Sequence, residues 1–198
     1  MSDPTYVRSE IDSNPIISID VIDIPYLASY AKKKGVGLWI YINDIALKYY
    51  DIDMILSTYQ QWGVVGIKHG FLQSRDQARP QYTIMVASKC AKYKLMYNPH
   101  EPAIPGGLHR TYPNVVSCEY INGQYDGPKR LEASPTQLTI IPFTNNLAAP
   151  LDRSCGMFDL DQAIKRDRVH KEAVTTVASQ LAQCVIIQTG FLGLPDNP

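Results

Sequence analysis

Two glutamates, Glu101 and Glu119, are the residues of this chain best suited to acid–base or metal chemistry. Each follows a short apolar run: Glu101 comes after Lys94-Leu95-Met96-Tyr97, Glu119 after Val115-Val116-Ser117-Cys118. Two carboxylates that face one cavity can divide acid and base roles, because their surroundings push their pKa values apart. They can equally hold a hard cation such as calcium through oxygen ligands. The ordinary alternative for a loop glutamate is a solvated surface carboxylate. Other polar residues stand at comparable points. Asn43 and Asp44 follow the run 36–42, Lys68 and His69 follow Val64-Val65-Gly66-Ile67, and His100 precedes Glu101. His100 could donate to a substrate hydroxyl or be a satisfied structural imidazole. Lys68 needs an anion or a ligand nearby, since a cation beside an apolar strand is costly to leave bare.

These residues need elements to place them. Val36-Gly37-Leu38-Trp39-Ile40-Tyr41-Ile42 is β-branched and aromatic and reads as a strand, behind the helix stop Lys34-Gly35. The helix before it runs from Pro25 through Lys33, with Asp23 near its start and Lys32 to Lys34 where a helix dipole favours cations. Further helices are expected over 51–62, 76–91, from about Pro135, and over 167–187, with strands at 64–67, 94–97 and 115–118. Strands that alternate with helices of this length indicate a parallel sheet with crossover helices. The ends of such strands converge on one face, where distant side chains can meet. Loops 99–113 and 119–134 are long for this topology.

Composition narrows the classes. The chain has 198 residues, with 45% hydrophobic and 19% charged, the range of a globular protein able to bury a core. Lys+Arg and Asp+Glu both number 19, so no net charge pulls the chain toward nucleic acid or anionic lipid, and neither is expected as a partner. No apolar stretch reaches the length of a membrane span. Cys90, Cys118, Cys155 and Cys184 are far apart, without metal spacing, and read as small buried apolar residues. No glycine-rich nucleotide motif follows a strand. Thirteen tyrosines against four phenylalanines suit either a core or a wet, sugar-lined cleft.

Taken in order, Ile22-Asp23-Ile24-Pro25, Ala31-Lys32-Lys33-Lys34-Gly35-Val36-Gly37, Trp62-Gly63-Val64 and Ile67-Lys68-His69-Gly70-Phe71 form a series. It continues through Asn98-Pro99-His100-Glu101-Pro102 and Gly107-Leu108-His109-Arg110-Thr111-Tyr112-Pro113-Asn114, and closes with Ile141-Pro142-Phe143-Thr144 and Ala149-Pro150-Leu151-Asp152. The series resembles the catalytic barrel of glycoside hydrolase family 97, over nearly the whole chain. The resemblance implies an α/β fold, a (β/α)8 TIM-type barrel, here partial with about six βα units. That barrel would span residues 16–198, behind an N-terminal segment 1–15 with no assigned fold. Family members carry further domains on both sides, so a second chain or segment is expected to complete the barrel, since an unclosed parallel sheet exposes its edges.

The resemblance also implies chemistry: an exo-acting hydrolase of α-linked glucosides or galactosides, with an oligosaccharide or α-glycoside as substrate and calcium as cofactor. Retaining members place a nucleophilic aspartate where this chain has Gly70, so Gly70 resembles the inverting α-glucosidase type. Glu101 then matches the general base and a calcium ligand, Glu119 a second calcium ligand, and Lys68 and His100 substrate-contacting positions. Asn43 stands where a second base-side glutamate is expected and is taken as a substrate contact, with Asp44 beside it. Tyr125 stands where the general acid is expected, with Asp126 beside it as the substitute acid. A tyrosine of ordinary pKa near 10 is a poor acid for glycoside cleavage, and an inverting hydrolase needs both an acid and a base. The alternative is a catalytically impaired member of the same family that keeps a carbohydrate- or calcium-binding barrel. Members are usually periplasmic or secreted, whereas Met1 to Glu10 is polar and shows no leader-like apolar core, so localisation stays open.

Overall fold

Several helices begin behind a polar side chain that caps them. The computed structural model of the chain describes residues 14–17, 22–72, 77–103, 106–121, 135–156, 158–159 and 175–194. The first helix, α1, runs Ile24–Lys33. Asp23 accepts from the Tyr26 N–H at 2.9 Å, and Pro25 lies in the first turn, where a missing N–H costs nothing. Next come β1 (Trp39–Asn43), α2 (Asp44–Tyr49) and α3 (Ile52–Trp62). Asp51 caps α3 through the Asp53 and Met54 N–H groups, and Gly63 closes it at φ 83°, a left-handed turn that glycine adopts without strain. β2 (Gly66–Gly70), α4 (Ala78–Lys92) and β3 (Met96–Pro99) follow.

The chain divides into two units, Met1–His100 with Tyr112–Val115, and Glu101–Thr111 with Val116–Pro198. In the first, β1, β2 and β3 form a parallel sheet in that order, and Tyr97 makes a further parallel bridge to Val115. Register sets Ile40, Ile67 and Tyr97 in one row and Ile42, His69 and Pro99 in another, so these side chains share one face. Ile67, His69 and Tyr97 on that face are fully buried, as are Ile55 and Leu56 of α3 and Val86, Ala87 and Cys90 of α4. Each large apolar side chain among them contributes about 1.5–3 kcal/mol by leaving water. The opposite face carries Trp39, Tyr41 and Asn43 on β1, Gly66, Lys68 and Gly70 on β2, and Met96 and Asn98 on β3.

The second unit has shorter elements: α5 (Leu108–Thr111), α6 (Pro135–Ile140), two 3-10 turns over 141–147, and α7 (Val177–Ile186). Cys118 bridges Leu151 in parallel. The Leu151 N–H donates to Gln188 O at 3.1 Å, and Gly190 N–H to Val116 O at 2.9 Å. Ile141, Leu151, Cys155 and Ile187 make its core, with Tyr120, Ile121, Cys184 and Leu192 against it. Cys90, Cys118 and Cys155 are buried and outside any disulfide, as small apolar residues would be, whereas Cys184 is half-buried.

Several boundaries differ from expectation. β1 starts at Trp39 and runs on to Asn43, and α2, absent from the expected helices, begins at once; β2 starts later than expected and takes in Lys68 and His69, which were expected to follow it. The segment 115–118 forms single bridges, not a ladder. The helix from Pro135 stops at Ile140, two residues before Pro142, which lacks the N–H a continuing helix needs. Of the expected helix 167–187, the part up to 174 lies outside the described residues, and α7 starts behind a Thr176 cap. The described residues thus show three parallel strands and two parallel bridges. No described helix is long and apolar enough to cross a membrane.

Candidate functional site

The open face of the first unit is built from large side chains laid over glycines. A Cβ added at Gly66 would stand 2.7 Å from the Trp39 ring, and one at Gly70 would stand 2.1 Å from Tyr41 Oη and 2.4 Å from its Cε2. β1 therefore supplies the rings and β2 the space, with Lys68 between the two glycines and level with Tyr41. Lys68 Nζ donates to Asn98 Oδ1 at 3.3 Å. Phe71, at φ 52°, meets Tyr41 edge to face with centroids 6.5 Å apart, and the His100 ring lies 5.4 Å from Phe71. The His100 N–H donates to His69 O at 2.7 Å, which ties the end of β3 to that of β2.

Asn43 has two roles to fill with one amide. Its Oδ1 accepts from the Ile45 N–H at 3.0 Å and so caps α2. Its Nδ2 is buried and has no hydrogen-bond partner among the described residues. The next residue, Asp44, points to the covered face. Its Oδ1 takes the His69 Nε2–H at 3.0 Å and its Oδ2 lies 2.5 Å from Lys48 Nζ, one helical turn on. His69 Nδ1 then accepts from the Tyr97 hydroxyl at 2.8 Å, and Tyr82 packs edge-on at 5.9 Å. Burial pushes His69 below the ordinary imidazole range, outweighing the pull of Asp44, so the ring is neutral. A neutral ring that donates at Nε2 and accepts at Nδ1 is fully satisfied here.

In the second unit Glu101 is exposed, with its backbone at φ 53°, and Glu119 is buried. The Glu101 N–H donates to Glu119 O at 2.6 Å, so the two residues lie on adjacent segments. The Asp152 N–H donates to Cys118 O at 3.0 Å, which sets Asp152 beside Glu119 in the parallel pairing. Asp152 and Arg153 are buried as well. Calcium takes six to eight oxygen ligands. Among the described residues no three His, Cys, Asp or Glu side chains stand close enough to enclose a metal ion. Glu101 and Glu119 could supply part of such a shell, but not the whole.

The expected site residues thus fall into two groups, Asn43, Lys68 and His100 in the first unit and Glu101 and Glu119 in the second. Tyr125 and Asp126 lie outside the described residues. Three features of the structure lie beyond the expected site residues. The Asn43-Asp44 pair is a helix start, legible as a capping residue followed by an acid in the first turn. Tyr41 over Gly70 was not legible, because it depends on strand register. Buried Asp152 and Arg153 follow a run too short to read as a strand end.

Solved structures share this fold. A family 97 glycoside hydrolase from Pseudoalteromonas sp. strain K8, in complex with panose, aligns over 100% of this chain and 33% of its own, at TM-score 0.81 and 22% identity. A β-arabinopyranosidase crystal structure aligns over 88% and 30%, at TM-score 0.74 and 21% identity. Both define the fold class, an α/β arrangement with a parallel sheet. Sequence comparison goes further. The family Glycoside hydrolase 97 matches residues 5–121, more than half of the chain. A probable retaining α-galactosidase of Streptomyces bingchenggensis is 30% identical over 88% of this chain and 26% of its own length. A retaining α-galactosidase of Bacteroides thetaiotaomicron is 31% identical over 89% of this chain and 27% of its own. The chain belongs to glycoside hydrolase family 97, and it spans about a quarter of the length of the curated relatives it matches.

Proposed function

We propose that this chain is part of the catalytic barrel of an inverting α-glycoside hydrolase. The observation that carries the inverting choice is Tyr41 against Gly70. A retaining mechanism needs a second carboxyl group to form the glycosyl-enzyme. Position 70 offers no carboxyl here, and the space a side chain would take is filled by a ring. The names of the two relatives support α-galactosides as substrates, beside the α-glucosides suggested by the Gly70 motif; both relatives are named as retaining, so inversion rests on Gly70 and its surroundings alone. In this reading Glu101 is the base that activates water and Asp126 the acid that protonates the leaving oxygen. Lys68, His100 and Asn43 contact the substrate. Glu101 and Glu119 would give calcium two of its oxygen ligands, with the others from outside the described residues.

The test is hydrolysis of p-nitrophenyl α-galactoside and α-glucoside, with the released anomer followed by proton NMR. The expected first product is the β-anomer. Release of the α-anomer would overturn inversion. Glu101→Gln is expected to lower kcat by at least about a hundredfold, and activity that survives it would remove Glu101 as the base. A second reading, a carbohydrate-binding member without catalysis, is favoured by one observation: Asp44 is engaged by His69 and Lys48, and its neighbour Asn43 is neutral. Sugar binding with no hydrolysis of either substrate would establish it.

A further inference from the structure

We propose that Tyr41 is the residue that selects the ligand on the open face of the first unit, by offering its ring to the apolar face of a neutral pyranose. The substrate class rests on the family reading above; the position of the platform rests on geometry alone. Three rings on neighbouring parallel strands touch in sequence: Tyr41 within β1, Phe71 directly after β2 and His100 directly after β3. Large rings usually bury most of their surface, yet Tyr41 is 52% exposed and Phe71 40%. Tyr41 lies against Gly70 through Oη, Cζ and Cε2, and its exposed surface is what a ligand would meet.

The groups beside it suit a sugar more than a purely apolar partner. Asn43 lies two residues along the same strand and so on the same face. Its buried Nδ2 has no acceptor among the described residues, while its Oδ1 is committed to the α2 cap. A buried donor without an acceptor is costly, and a ligand hydroxyl oxygen would meet it. Lys68 and Asn98, joined at 3.3 Å, add polar groups in register with Tyr41. A pyranose has both parts, a C–H face for the ring and hydroxyls for the amide and the ammonium.

The experiment titrates the full 198-residue chain with methyl α-galactopyranoside and methyl α-glucopyranoside by saturation-transfer NMR, with circular dichroism as the check on folding. Tyr41→Ala is expected to weaken binding about tenfold, and Tyr41→Phe to keep affinity within about threefold, since the ring is retained. Tyr49→Ala, an exposed tyrosine elsewhere, serves as control and is expected to change nothing. Unchanged affinity in Tyr41→Ala would overturn the inference, whether or not the chain hydrolyses glycosides. So would absence of binding by the unaltered chain at millimolar sugar. Binding that depends on Tyr41 without any hydrolysis would uphold the inference and remove the hydrolytic reading.

Discussion

In the first unit Asn43 ends β1, Lys68 lies within β2 and His100 follows β3, on strands paired residue by residue, from Trp39↔Gly66 to His69↔Pro99. In the second, a backbone hydrogen bond links Glu101 to Glu119, and the Glu119 segment is held by the bridge Cys118↔Leu151. The first arrangement fixes side chains by register, and a slip of one residue would send each to the opposite face. The second fixes them by a small core around Leu151 and by positive-φ backbone at Glu101. Regular ladders and buried polar networks hold one set of residues; local packing holds the other. Regions with fewer ordered backbone pairings open at lower free energy, so the two units should respond differently to damage.

The largest expected effect is on the second unit. Leu151→Ala removes a fully buried side chain from the core that carries the bridge to Cys118, and should cost about 2–5 kcal/mol, to be read from urea unfolding. Hydrogen exchange on this variant is expected to rise across 116–119 and 150–152 while the β1–β3 amides stay protected. Equal loss of protection in both would show that the units unfold as one. Asp44→Ala tests the first unit. It leaves the neutral His69 Nε2–H without its acceptor in a fully buried place and takes a carboxylate from Lys48. A buried donor left unpaired costs about 1–3 kcal/mol. A loss well below about 1 kcal/mol would mean that water reaches His69.

The smallest effect concerns pH. His69 is held below its ordinary value of 6.5 by burial, so below that pH the unfolded chain binds a proton that the folded chain refuses. Stability from this group is therefore full above pH 6.5 and falls as pH drops toward the folded pKa, by up to about 1.4 kcal/mol per pH unit. Unfolding curves between pH 5 and 7, compared with those of His69→Gln, would show it. A steeper acid loss in the variant than in the parent chain would reverse the assignment of a neutral ring.

Much of the framework was legible in the residues. Helix α1 was marked by Asp23 and the lysines at its end, and α3 and α4 were located to within two residues, because helical signals depend on neighbours within a turn. The order of motifs pointed to family 97, and sequence comparison places the chain there. The apolar runs located the strands within a few residues, since burial on both sides of a parallel sheet leaves a run but blurs its ends. Glu101 and Glu119 stood out because carboxylates after apolar runs are rare.

What only the tertiary structure decided lies between strands. Asp44 became the partner of His69, 25 residues away, and His69 of Tyr97, 28 residues further. Asn43 became a helix cap with one buried donor left over. Gly70, read from the motif as the mark of an inverting site, turned out to be the floor under Tyr41. Local patterns specify which elements form, because their energies are set within a turn or a pleat. Which side chains meet depends on register, and register is set only when whole strands pair.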